Sequence, residues 1–155
     1  MEIKDAGPRY PLGRAVPGPG ELEKLVETVS RLSTRYAEKL EALLENPVME
    51  LDEESFDKAL SVYKLLVVDF WAEWCAPCVV YEPMFLDVAR RYAEPRRVGF
   101  ARLNIDDAPR IADRYGVDTI PATLLFVEGA KVDALIGAVT VEVLERAVKE
   151  ALKRL

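Results

Sequence analysis

The sequence Leu65-Leu66-Val67-Val68-Asp69-Phe70-Trp71 is followed closely by the run Trp74-Cys75-Ala76-Pro77-Cys78, which holds the only two cysteines of the 155-residue chain. Apart from Asp69 the first stretch is apolar, which is typical of a strand buried on both faces of a sheet. Where a helix follows such a strand, two thiols three residues apart lie on one side of its first turn, near the Cα separation of about 4.4 to 6.8 Å that a disulfide needs. The stretch therefore predicts a dithiol that opens and closes on a fixed scaffold.

Short apolar runs alternate with helical patterns on both sides of this stretch. The predicted strands are 48–51, 65–71, 98–105, 122–127 and 131–137, and the predicted helices are 52–62, 76–93, 107–115 and 140–155. Glu128-Gly129-Ala130 predicts a β-hairpin between the last two strands, with Gly129 taking the unusual backbone angle. This order predicts an α/β domain over residues 47–155, with a central mixed β-sheet flanked by helices on both faces.

The first 46 residues have a different pattern. Residues 1–20 hold four prolines interleaved with four glycines, a composition that disfavours helices and strands and predicts an extended or disordered arm. Residues 21–46 predict an N-terminal amphipathic helix that stops at Asn46-Pro47. Its apolar face is Leu22, Leu25, Val26, Val29, Leu32, Tyr36, Leu40, Leu43 and Leu44. Three uses for this face stay open: packing on the chain's own domain, self-association as a homodimer, or binding a client.

Composition excludes several classes of function. The formal net charge of −6 argues against a large basic surface for nucleic acid. No apolar run approaches the length of a membrane span, and the start of the chain does not resemble a secretory signal, so we expect a soluble, cytoplasmic protein. The absence of histidine excludes a Cys-His nucleophile pair and a His-rich metal site. Charged residues are abundant while glutamine is absent, a bias that resembles thermophile proteins.

Several segments of residues 47–155, taken in their order along the chain, resemble thioredoxin. They are residues 67–78, Leu103-Asn104-Ile105-Asp106, residues 120–126, Gly129 and Gly137. The resemblance implies the thioredoxin fold and a dithiol–disulfide oxidoreductase. It implies no cofactor beyond the redox-active disulfide Cys75–Cys78, and two kinds of partner: disulfide-containing protein substrates and a separate thioredoxin reductase-like electron donor.

Four residues are the candidate catalytic group. Cys75 precedes the predicted helix, where free amides and the helix dipole favour a thiolate, so we expect it to attack the target disulfide. Cys78 lies one turn further in and is expected to be the resolving thiol. Asp69 shares a strand face with Val67, which predicts burial, a raised pKa and a role as proton acceptor for Cys78. Arg102 stands where the resemblance leads us to expect lysine, so it either tunes Asp69 electrostatically or is a surface cation.

The resemblance also implies a shallow apolar surface for docking substrates around Cys75. Its predicted members are Trp74, Ala76, Pro77, Ile120, Pro121, Ile136 and Gly137. A family member would hold the Ile120–Pro121 bond cis, which would turn the Ile120 backbone toward the dithiol to pair with an extended target segment. Ala76 and Val79 depart from the commonest family motif, which has glycine and lysine at these positions.

Other interpretations of the dithiol remain to be separated. A structural disulfide would close a very short loop and add little stability, and two thiolates fall short of the four ligands of a structural zinc site. Within redox chemistry the alternatives to a reductase are an oxidase or isomerase that forms disulfides. A non-enzymatic binding module is the third alternative, including a dimer that shares an iron–sulfur cluster through its thiolates.

Overall fold

A computed structural model describes residues 18–155, so most of the predicted arm lies outside the described residues. Helix α1 spans Pro19–Glu45 and begins two residues earlier than the pattern predicts. Proline is favoured in the first turn because its missing N–H would be unpaired there anyway. The carbonyl of Gly18 accepts from Glu21 N and Leu22 N, and Glu21 Oε2 accepts from Gly18 N at 3.0 Å, which caps the helix.

The described residues divide into two units, one that ends at Lys39 and one that spans residues 40–155. The first holds most of α1, whose apolar residues recur every three or four positions. The second holds the remaining elements. These are β1 (Val48–Leu51), α2 (Glu53–Val62), β2 (Leu65–Trp71), α3 (Ala76–Tyr92), β3 (Val98–Asn104), α4 (Pro109–Arg114), β4 (Ala122–Val127), β5 (Ala130–Ile136) and α5 (Val141–Leu152). No helix in the described part of the chain is long and apolar enough to cross a membrane.

The five strands form one mixed sheet in the order β1-β3-β2-β4-β5. Strands β1, β3 and β2 are parallel, whereas β4 runs antiparallel to β2 and β5 antiparallel to β4. The hairpin turn between β4 and β5 uses two residues with positive φ, Glu128 at 49° and Gly129 at 81°. The predicted mixed sheet is therefore present, and its central strand is the one that leads into the cysteines.

Alternation along β2 divides the core into two layers. Leu65 and Val67 face a cluster built with α3 and α5, while Leu66, Val68 and Phe70 face a second cluster built with α2 and α4. Because side chains alternate between faces along a strand, Asp69 shares the face of Val67, as the pattern predicts, and this is the face that α3 covers. The helix that begins at the cysteines therefore covers the carboxyl group that precedes them.

Candidate active site

The dithiol lies at the junction of β2 and α3. Cys75 is the N-cap residue of α3, and its Sγ accepts a hydrogen bond of 3.3 Å from Cys78 N. The two residues form a disulfide with their Cα atoms 5.3 Å apart, inside the expected range. Cys75 is 4% exposed and Cys78 is fully buried. Amide donors and the helix dipole favour negative charge on the outer sulfur, which is the geometry an attacking thiolate needs.

Asp69 is a fully buried carboxyl group on the strand behind the dithiol. Its Oδ2 accepts from Arg102 Nε at 3.5 Å, whereas Oδ1 has no hydrogen-bond partner among residues 18–155. Burial raises the pKa of Asp69 to about 7, although the positive charge of Arg102 lowers it; Glu82 and Glu50 raise it further. A carboxyl group that titrates near neutral pH can both accept and release a proton there.

Arg102 contacts Asp69 and is buried, so it is not a surface cation. Its side chain is 9% exposed, and its Nη1 lies 3.2 Å from Glu82 Oε1 and 3.9 Å from Glu50 Oε1. The guanidinium carbon stacks 4.0 Å from the ring centroid of Trp71, in the range of a cation–π contact. Arginine keeps its proton at any ordinary pH, so this group acts on Asp69 through charge and position alone.

The predicted docking residues range from exposed to buried. Trp74, Ala76, Pro77 and Ile136 are exposed, Ile120 and Gly137 are partly buried, and Pro121 is buried. Ile120 packs against the two cysteines and its bond to Pro121 is cis. Gly137 N donates to the Pro121 carbonyl at 2.7 Å, which ties the end of β5 to this bond. Trp74 and Ile136 are 69% and 58% exposed, so large apolar side chains face solvent beside the buried sulfurs.

Several residues near the site were not singled out from the sequence. Glu50 is the register partner of Arg102 on β1, and Glu82 lies one helical turn beyond Cys78. The spacing of Glu82 from Cys78 was a usable signal, because residues four apart share a helix face. Tyr81 Oη and Thr123 Oγ1 lie 2.7 Å apart in the core. Trp74 Nε1 donates to Asp106 Oδ2 at 2.9 Å.

Comparison with known proteins places the chain in a family. The family model described as Thioredoxin matches residues 47–150. A thioredoxin of Alicyclobacillus acidocaldarius is 35% identical over 105 residues, which cover 68% of this chain and 98% of that protein. A chloroplastic M-type thioredoxin of Brassica napus is 45% identical over 74 residues, 48% of this chain. The match covers 41% of that relative, so the chain spans less than half of its length.

Solved structures agree with the fold. A mutant thioredoxin from Halobacterium salinarum superimposes with a TM-score of 0.62 at 24% identity, over 67% of this chain and 89% of that one. At this level of identity the likeness supports the fold alone. The family match over residues 47–150, together with the relative from Alicyclobacillus, shows that the chain belongs to the thioredoxin family.

Proposed function

We propose that this protein is a thiol–disulfide oxidoreductase that reduces disulfides in other proteins through Cys75 and Cys78. The observation that supports this most directly is the placement of the dithiol. The outer sulfur caps a helix N-terminus, a buried carboxyl group lies on the strand behind it, and exposed Trp74 and Ile136 provide apolar surface for a substrate. Structural disulfides need neither such a carboxyl group nor such a surface.

The reaction takes two exchange steps. In the first, the Cys75 thiolate attacks one sulfur of the target disulfide, forms a mixed disulfide and releases the other target sulfur as a thiolate. In the second, Asp69 accepts the proton of Cys78, whose sulfur then attacks Cys75 Sγ. The Cys75–Cys78 disulfide forms, the mixed disulfide breaks, and the second target thiolate leaves. The target gains the two electrons that the dithiol loses.

Turnover requires a separate electron donor. Two electrons must return to the Cys75–Cys78 disulfide, and a thioredoxin reductase-like protein is the donor we propose, with disulfide-containing proteins as substrates. We place this cycle in the cytoplasm. The relatives include chloroplastic and bacterial proteins, so fractionation of the source cells is the measurement for this part of the proposal.

Reduction of insulin disulfides by the reduced protein tests the proposed activity. We expect turnover with a chemical dithiol as donor, none with Cys75→Ser, and a trapped mixed disulfide with Cys78→Ser. Normal turnover by Cys75→Ser would refute the mechanism. The equilibrium potential of the Cys75/Cys78 couple separates a reductase from an oxidase or isomerase, since a reductase has the more negative potential. Visible absorbance after anaerobic purification would reveal an iron–sulfur cluster instead.

Helix α1 supports self-association as a second part of the proposal. Leu22, Val29 and Tyr36 fall seven residues apart, with Leu25 and Leu32 between them, which is the spacing of a two-stranded coiled coil. All five side chains are exposed. We expect a dimer in sedimentation analysis and a monomer for Leu25→Asp/Leu32→Asp. A parent protein that is monomeric across the micromolar range would refute this part.

A further inference from the structure

The guanidinium of Arg102 pairs with three carboxyl groups behind the dithiol. In the sheet, Arg102 on β3 is paired in register with Glu50 on β1 and with Asp69 on β2, so the three residues form a row across neighbouring strands. Glu82 reaches the same guanidinium from α3. Side chains paired across strands point to the same face of the sheet, which places the whole row under α3.

The three carboxylates do not share Arg102 equally. Nη1 faces Glu82 at 3.2 Å and Glu50 at 3.9 Å, whereas Asp69 receives Nε alone, at the long distance of 3.5 Å. A bidentate pair would give a carboxylate two short bonds and hold it ionised. Asp69 instead keeps Oδ1 unpartnered within the described part of the chain. Arg102 therefore directs Nη1 to the two outer glutamates and leaves only the long Nε bond for Asp69.

Exposure rises along this cluster from the core to the surface. The side chain of Asp69 is fully buried, that of Arg102 is 9% exposed, and those of Glu82 and Glu50 are 52% and 68% exposed. A cavity of about 180 Å³ lies on the outer side of the guanidinium. Its lining residues are Asn46, Val48, Glu50, Glu82, Phe85, Leu86 and Arg102. Glu82 and Glu50 therefore lie at the outer end of the cluster, whereas Asp69 lies in the core behind the guanidinium.

We propose that Glu82 and Glu50 are positioning residues that hold the guanidinium of Arg102 on the cavity side, so that Asp69 retains the proton affinity it needs to accept the proton of Cys78. The inference rests on the proposed function for the proton transfer, but the arrangement of charges does not. Arginine suits this role because its fork of donors reaches Glu50, Glu82 and Asp69 at once, which a lysine ammonium does less well.

Charged and titratable groups surround Asp69 from three elements. Arg102 lies on β3, Glu50 on β1, and Glu82 and Tyr81 on α3, the helix that also carries Cys78, while Thr123 is its neutral register partner on β4. Among these, Glu50 and Glu82 are the carboxylates whose charge opposes ionisation of Asp69. Neutralising them removes repulsion and also frees Arg102 to turn inward. Both effects favour ionised Asp69.

The test compares Glu82→Gln, Glu50→Gln and the double variant with Asp87→Asn. Asp87 is a matched control because it lies on the same helix and pairs with Arg91 at 3.2 Å, the distance of the Glu82–Arg102 pair. The first readout is the pH midpoint of the Asp69 carboxyl carbon in NMR spectra of the oxidised protein. We expect it to move to lower pH by about 0.5 to 1 unit in the double variant, as expected for the loss of nearby like charges, and to stay unchanged in the control.

The second readout is the attack of Cys78 on a mixed disulfide at Cys75. An aromatic disulfide reagent releases one coloured thiolate when Cys75 is modified and a second when Cys78 displaces it, so the second release reports the resolving step. In the double variant the pH midpoint of the second release should move to lower pH together with that of Asp69. The plateau rate of this release should fall about twofold, because Asp69 is then a weaker base.

The two readouts separate failure of this inference from failure of the proposed function. The carboxyl titration needs no turnover and no protein substrate. An unmoved Asp69 midpoint in the double variant overturns the inference even if insulin is reduced normally. A moved midpoint with an unmoved second release also overturns it, because Asp69 would then not set the rate of the resolving step.

Discussion

The indole Nε1 of Trp74 donates a hydrogen bond of 2.9 Å to Oδ2 of Asp106, across 32 residues of chain. Asp106 is held in turn, since its backbone N–H donates to Asn104 Oδ1 at 2.9 Å. The bond therefore joins the loop before the dithiol to the end of β3. It fixes the orientation of a side chain that is 69% exposed and would otherwise move freely over the dithiol.

Removing this bond should weaken substrate docking more than chemistry. We expect Asp106→Ala to raise the KM for insulin a fewfold with kcat retained, because Trp74 loses its preferred orientation while the cysteines are untouched. The free energy of unfolding should fall by about 1 kcal/mol, as for a hydrogen bond near the surface. Asp107→Ala is the control, because it removes the neighbouring carboxyl group while the backbone hydrogen bond from Asp107 N to the Asn104 carbonyl stays in place. Equal KM values for the two variants would contradict this account.

The sequence predicts the burial of Asp69 better than it predicts the partners of Arg102. Burial of Asp69 follows from alternation along one strand, which is local information. The partners of Arg102 depend on how β1 and β2 align with β3, and a register between distant segments is set by the whole sheet. For this reason Glu50 could not be identified from the sequence. Glu82 could have been identified from the sequence, because it lies one helical turn from Cys78.

Asp69 should make stability depend on pH. Its pKa is about 7 in the folded protein, against an ordinary value of 3.8. At pH values between these two, the folded state therefore holds a proton that the unfolded state has released. The free energy of unfolding therefore falls as pH rises from about 4 to 7, by roughly 4 kcal/mol in total at 1.4 kcal/mol per pH unit. Asp69→Asn should remove this loss. In urea unfolding, we expect the free energy of unfolding of the variant to exceed that of the parent by a few kcal/mol at pH 8 and to match it near pH 4. An excess that does not change with pH would count against the raised pKa of Asp69.

The same variant should slow the resolving step. Without a carboxylate, Cys78 must lose its proton to water, so release of the second coloured thiolate should slow by about 100-fold, at the low end of what a positioned base contributes. Release of the first thiolate, which depends on Cys75, should change far less and serves as the internal control. If both releases stay within twofold of the parent, Asp69 is not the proton acceptor.

Tyr81 and Thr123 form a hydroxyl pair beside Asp69, and each should depend on the other. Both residues are fully buried, their oxygens lie 2.7 Å apart, and Thr123 is the register partner of Asp69 on β4. Tyr81→Phe leaves the Thr123 hydroxyl buried without this partner, which should cost about 1 to 3 kcal/mol, and Thr123→Val should do the same to Tyr81. The double variant leaves neither hydroxyl orphaned, so its loss should be smaller than the sum of the two single losses by about 1 kcal/mol. Urea unfolding of all four proteins measures this coupling, and strictly additive losses would show that the two hydroxyls act independently.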